Sequence, residues 1–270
     1  MTAGTPRPVT PTGAVATQRS VPSRGGFSLT FLRIELRRML RNRRTVMFVL
    51  VFPVIFFLLF GANSRLRTQT AGSGNVTAYL VISMAVYGAM IATTSGGAMV
   101  SVERAAGWSR QLRLTPLRPA AYVLTKLMVA MALGVVSVAV VFLVGSLSSA
   151  RMPAAVWVET FLLAWGCSLV FAAFGLFMGY LLPSENVMQI LGPVLAVLSF
   201  AGGLFVPVDQ MGSVFAAIAP WMPTYGVGQL ARYPLVHDGS LATALVNVVA
   251  WTAVFAAGAM WRFRRDTART

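Results

Sequence analysis

Between two long apolar runs the chain carries ERAAGWSRQLRLTPLRPAAYVLTK, Glu103 to Lys126, an island with Glu103, Arg104, Arg110, Arg113, Arg118 and Lys126 as its ionisable residues. Elsewhere the residue types that do chemistry are scarce. There is one histidine, His237, and one cysteine, Cys167, so neither an intramolecular disulfide nor a Cys/His metal site can form. No HExxH, GxSxG or paired carboxylates within an apolar stretch occur. A phosphate-binding loop needs a lysine followed by Ser or Thr, and the single lysine, Lys126, is followed by Leu127. No catalytic, cofactor-binding or metal-binding residues are expected, so any energy for work enters from another polypeptide. The island is then a surface for gripping a partner rather than for breaking bonds.

The elements that must position this island are membrane helices. The 270 residues are 57% hydrophobic and 11% charged, whereas a soluble domain carries about 25% charged residues. Six apolar runs are expected to span a bilayer, at roughly 45–62, 77–100, 122–148, 155–182, 187–206 and 241–261. The formal net charge of +15 would suggest nucleic acid in a soluble protein, but its distribution points to a membrane. Nine basic residues precede the first run, five lie in the island and four close the chain; only Arg65, Arg67, Arg151 and Arg232 fall in the alternate segments. That bias places both termini in the cytoplasm. The seven acids lie at span ends or in loops, Glu159 coming nearest to an exception, which disfavours a proton- or sodium-driven carrier.

Residues 1–26 are rich in Pro, Thr, Ser and Gly and read as a disordered cytoplasmic tail. From Phe27 to Arg44 one face carries Leu29, Leu32, Leu36 and Met39, and the other Arg33, Arg37, Arg41 and Arg44. This is the pattern of a basic amphipathic helix lying in the membrane interface. Between Pro207 and Ser240, Pro207, Pro220, Pro223 and Pro234 with Gly212, Gly226 and Gly228 forbid one continuous helix. Two short helices dipping into the outer leaflet fit that stretch. The expected organisation is the tail, one membrane domain over 27–262, and a basic cytoplasmic tail over 263–270.

Within the island, Glu103 is expected near the start of a short polar helix along the inner face, with Arg110 and Arg113 toward its end. Gly107 permits close approach of another backbone, and Thr115-Pro116 stops the helix. A cytoplasmic loop held to lipid headgroups by its arginines fits the spacing equally well.

The pattern ER-x-x-GW-x-x-QLRLTP-L-x-P-x-AY-x-x-x-K resembles the loop signature of type-2 ABC exporter permeases, in particular their drug- and antibiotic-efflux branch. GGLFVPVDQM…IAPWMPTYGVGQLAR, Gly202 to Arg232, resembles that family's outer re-entrant segment, and the basic helix resembles its interfacial connecting helix. The resemblance implies an all-α integral membrane fold of six transmembrane helices with an interfacial amphipathic helix and an outer re-entrant segment. It also implies a second permease, as homo- or heterodimer, and a pair of cytoplasmic ATPase subunits holding ATP and Mg. Carried over by motif, the ATPase-coupling helix contains Glu103, Arg104, Gly107, Leu112, Thr115 and Pro116, the first two for polar docking and Gly107, Thr115 and Pro116 for shape. The re-entrant segment takes Gly202, Gly203, Pro207, Pro220 and Pro223. Ser109 and Gly212 depart from the family pattern, where an apolar residue and a proline are common.

The expected function is the permease of an ATP-driven exporter in a bacterial plasma membrane, without its own ATPase site. Its cargo is expected to be a hydrophobic or amphipathic compound such as a drug, an antibiotic or a lipid-like metabolite. Alternatives are export of a cell-envelope glycan or lipid, and a non-transporting membrane scaffold or sensor. Nucleic acid is not an expected partner; the lipid bilayer is.

Overall fold

The computed structural model describes residues 28–61, 68–107 and 119–268. Helix α1 (Leu29–Arg41) follows the amphipathic stretch, and α2 (Arg43–Gly61) follows the first apolar run. The two are bent by 60° across Asn42. Pro53 lies inside α2 without ending it, as neighbouring helices allow in membrane proteins. A hairpin of two short strands, β1 (Thr70–Ala71) and β2 (Gly74–Asn75), leads into α3 (Val76–Ala98). Asn75 caps α3: its Oδ1 accepts the Ala78 N–H at 3.0 Å and the Arg151 N–H at 2.9 Å, and its Nδ2 donates to the Ser149 carbonyl at 2.7 Å.

After a turn at Met99, α4 (Val100–Ala105) prolongs α3 into a helical run of 30 residues, about 45 Å at 1.5 Å per residue. Helix α5 (Pro119–Leu147) returns. Helices α6 (Ala154–Cys167) and α7 (Leu169–Leu181) form a third long run, interrupted only at Ser168. Helix α8 (Val187–Ala201) is followed by a broken stretch containing the short α9 (Ser213–Ile218). Then come α10 (Pro223–Val236) and the long α11 (Leu241–Ala268).

The chain is an all-α membrane protein. Among the described residues, four helical runs are long and apolar enough to cross a bilayer (Val76–Ala105, Ala120–Leu147, Ala154–Leu181 and Leu241–Arg265), and the bent α1–α2 pair makes a fifth candidate. Within the expected span over 187–206 the helix is shorter than the apolar run. Helix α8 has 15 residues and stops at Ala201, about 22 Å against a hydrocarbon core of about 30 Å. Gly202 and Gly203 end it. Helix α11 continues through Ala268, into the expected basic tail over 263–270.

Helix α3 is the centre of the bundle, with 83% of its apolar window buried, against 17% for α11. It packs on α5, α7 and α2. The approach to α7 rests on small residues: a Cβ on Gly97 would meet the Ala172 and Gly175 backbone, and one on Gly175 would meet the Thr94 backbone. Such contact lets dispersion and short polar bonds act between helices where lipid supplies no hydrophobic drive. Thr93 and Thr94 accordingly donate to the Ser168 and Phe171 carbonyls, each at 3.3 Å.

Candidate functional site: the charge cluster at the α1 end

Where α1 crosses the ends of α4 and α5, four charged residues and a tyrosine meet. Lys126 Nζ donates to Glu35 Oε2 and to Glu103 Oε1, each at 2.5 Å. Arg38 Nη1 donates to Glu103 Oε1 at 3.1 Å and lies 3.5 Å from Glu35 Oε1. Tyr122 donates its hydroxyl to Glu103 Oε2 at 2.6 Å. The side chains of Glu35, Glu103 and Lys126 are 5%, 3% and 3% exposed, whereas that of Arg38 is 45% exposed. Two carboxylates and two cations make a neutral set, which is the condition under which ionised groups are tolerated away from water.

Local sequence explains the arrangement. On α1, Glu35 falls three residues after Leu32 and four before Met39, which places it on the face turned to the bundle. On α5, Tyr122 and Lys126 are four apart and share a face, and Lys126 Nζ lies 5.3 Å from the Tyr122 ring centre. Glu103 stands one turn before the helical run ends. Gly107, with φ 74, terminates that run by donating its N–H to the Arg104 carbonyl at 3.0 Å.

The neighbouring Arg104 turns the other way. Its Nη1 donates to the Gly179 and Tyr180 carbonyls at 3.2 and 2.8 Å, near the C-terminus of α7, and its guanidinium lies 5.6 Å from the Tyr180 ring centre. A cation there meets the negative end of the helix and its orphan carbonyls. Consecutive residues thus tie one helix end to α1 and α5 on one side and to α7 on the other. A cavity of about 280 Å³ lies beside the cluster, bordered by Met39, Gly96, Met99 and Val129.

Glu103 sits, buried, in the short helix Val100–Ala105 that closes the long run, and the remainder of the expected polar helix, from residue 108 onward, lies outside the described residues. The Glu103 carboxylate and the Arg104 guanidinium make hydrogen bonds within their own chain. Lys126 lies within α5, inside the expected run 122–148. Among the described residues of this chain no heavy atom lies within 4 Å of where a Cβ on Gly107 would stand, and its φ of 74 serves the left-handed turn. Leu112, Thr115 and Pro116 lie outside the described residues. Glu35, Lys126 and Tyr122 were not among the expected site residues. The signals available were an acid on the apolar face of a basic helix and the chain's single lysine.

In the second group of expected residues, Gly203 lies against a buried arginine. Gly203, with φ 73, offers its carbonyl to Arg232 Nη1 at 3.0 Å. Arg232 is 4% exposed; it also donates to the Tyr79 hydroxyl at 2.7 Å and to the Gly228 carbonyl at 3.0 Å. Among the described residues no carboxylate pairs with it. Gly202 backs onto Thr224, leaving no room for a side chain. Pro223 opens α10, the Pro220 carbonyl accepts from Asn247 Nδ2 at 2.8 Å, and Pro207 precedes a 3-10 turn over Val208–Gln210. Arg232, read as an outer loop charge, is instead an internal strut.

A bundle of long apolar helices, with an amphipathic helix clamped across one end and a proline-broken segment at the other, is the architecture of a multi-pass membrane protein. The family model described as ABC-2 type transporter matches residues 28–235, and the chain belongs to that family. It is 29% identical over 211 residues, 76% of this chain and 84% of the relative, to the Bacillus subtilis (strain 168) protein named "Putative transport permease YvfS". Membership makes the chain a transporter permease subunit and implies a partner ATPase and a membrane setting.

Proposed function

We propose that the chain is the permease of an ATP-driven exporter for hydrophobic or amphipathic compounds. Six helices cross a bacterial plasma membrane with both termini in the cytoplasm, α8 and the segment after it forming the fifth crossing and an outer re-entrant turn. A second permease, identical or related, completes the pathway, and separate subunits hold ATP and Mg. The carrying observation is the paired anchoring of Glu103 and Arg104. A helix end fixed on both sides, leading directly into the basic segment 108–118, is suited to receive a push from outside and spread it through the bundle. In this reading Glu103 and Arg104 act by positioning that segment, while Leu112, Thr115 and Pro116 belong to the surface the ATPase grips. The apolar spans support an uncharged or amphipathic cargo, since a strongly charged one would require countercharges along its path.

The test is a photo-crosslinking amino acid placed at Trp108 or Arg113 and, as a control, at Leu245, which is 55% exposed on α11. After irradiation in native membranes, the first two positions are expected to capture a P-loop ATPase, identified by mass spectrometry, and Leu245 only lipid or permease. Absence of an ATPase from all three positions refutes the exporter reading. Capture from Leu245 alone moves the interface.

A further inference from the structure

Helix α1 is attached to the bundle by charge as well as by packing, Phe31 and Leu32 being partly buried against the core. Of its apolar residues only Met39 is fully buried, while Leu29, Ile34 and Leu40 are 73%, 59% and 45% exposed. What crosses from α1 to the rest of the chain at its centre is the Glu35 carboxylate on Lys126 and the Arg38 guanidinium on Glu103. Lys126 is the shared member, holding Glu35 of α1 and Glu103 of the helix end that opens the basic island. The adjoining cavity, about 280 Å³, gives the helix somewhere to move.

From this geometry we infer that Glu35 and Lys126 are positioning residues of the drive: through them α1 moves with the Glu103 end of α4 when the ATPase pushes it. Ion pairs suit this task because they hold direction and distance while the apolar surfaces beside them slide. Removing one member strands a buried charge, whereas removing both relieves it. The inference rests on the exporter reading, so the experiment must separate the two.

The permease–ATPase complex, with Cys167→Ala as background, is reconstituted in lipid nanodiscs and spin-labelled in pairs. One pair reports on α1 (Ile34 with Leu147); the other reports on the hairpin end (Leu147 with Asp238). Distances are measured by double electron–electron resonance with and without ATP and vanadate, and hydrolysis is measured on the same samples. In the parent both pairs are expected to shift. In Glu35→Gln and in Lys126→Met, the shift of the α1 pair per unit of hydrolysis should fall at least fivefold. Glu35→Asp should recover half or more of it, and Glu35→Gln with Lys126→Met should be no worse than the poorer single variant. A purely structural role would lower complex yield and both distance shifts together, without recovery in Glu35→Asp, and would overturn the inference. So would an α1 pair that shifts normally in Glu35→Gln, or a parent in which only the hairpin pair responds. A parent in which no ATPase binds, or neither pair responds, overturns the exporter reading and the inference with it.

Discussion

At the scale of single residues, Glu103 and Arg232 show how charge is accommodated among apolar helices, each by a local solution. Glu103 is stable where it is because Lys126, Arg38 and Tyr122 converge on its two oxygens. Arg232 is stable because a phenol and two carbonyls surround it, with the Tyr79 ring 4.8 Å away. The costs of undoing the two differ. Neutralising Glu103 leaves Lys126 and Arg38 sharing one carboxylate, so Glu103→Gln should destabilise the protein by about 3 kcal/mol, the scale for breaking a buried pair. Thermal unfolding in detergent measures it. Adding Lys126→Met to Glu103→Gln should recover part of the loss, since the stranded cation is removed with its partner.

At the scale of elements, the informative contact is α3 against α7. Gly97 and Gly175 bring the two backbones together, and the threonine hydroxyls of α3 reach carbonyls of the opposite helix. Gly175→Val should therefore cost more than its small change in volume suggests, because the obstacle is backbone and cannot rotate away. Expected is loss of the monodisperse species in size-exclusion chromatography, while Gly166→Val, at a glycine with open space around it, should behave as the parent. Sequence pattern located α1 and most of the long helices within a few residues. It overextended the fifth run, because the apolar residues from Leu204 to Val206 continue the hydropathy after the helix has ended at Gly202 and Gly203. Hydropathy measures preference for lipid, not backbone conformation, and two consecutive glycines decided the latter.

At the scale of the whole molecule, burial is distributed unevenly across helices of similar apolarity. Helix α3 is enclosed by its neighbours, whereas Val246, Val249 and Val254 of α11 are 67%, 59% and 58% exposed. In water such a surface would be an interaction patch; in a bilayer it is the face that meets lipid. Val249→Lys should consequently reduce membrane insertion, by about 2.5–3.5 kcal/mol on the scale for a charge at a helix centre. Glycosylation-reporter insertion assays measure this. Val249→Leu should be neutral.

Composition and periodicity were sufficient for the class of the protein. So few charges among so many apolar residues require membrane helices, and the spacing of arginines against leucines requires an amphipathic helix before the first of them. The motif around Glu103 and Arg104 carried the family, which the match over 28–235 bears out. Only the folded chain decided which charges are buried and with whom. Glu35 and Lys126 are 91 residues apart, and Tyr79 and Arg232 are 153 apart. Periodicity tells which face a side chain occupies, since that depends on neighbours three and four residues away. The partner of a buried charge depends on how helices distant in sequence pack, and on the requirement that the group they enclose be neutral and fully hydrogen-bonded.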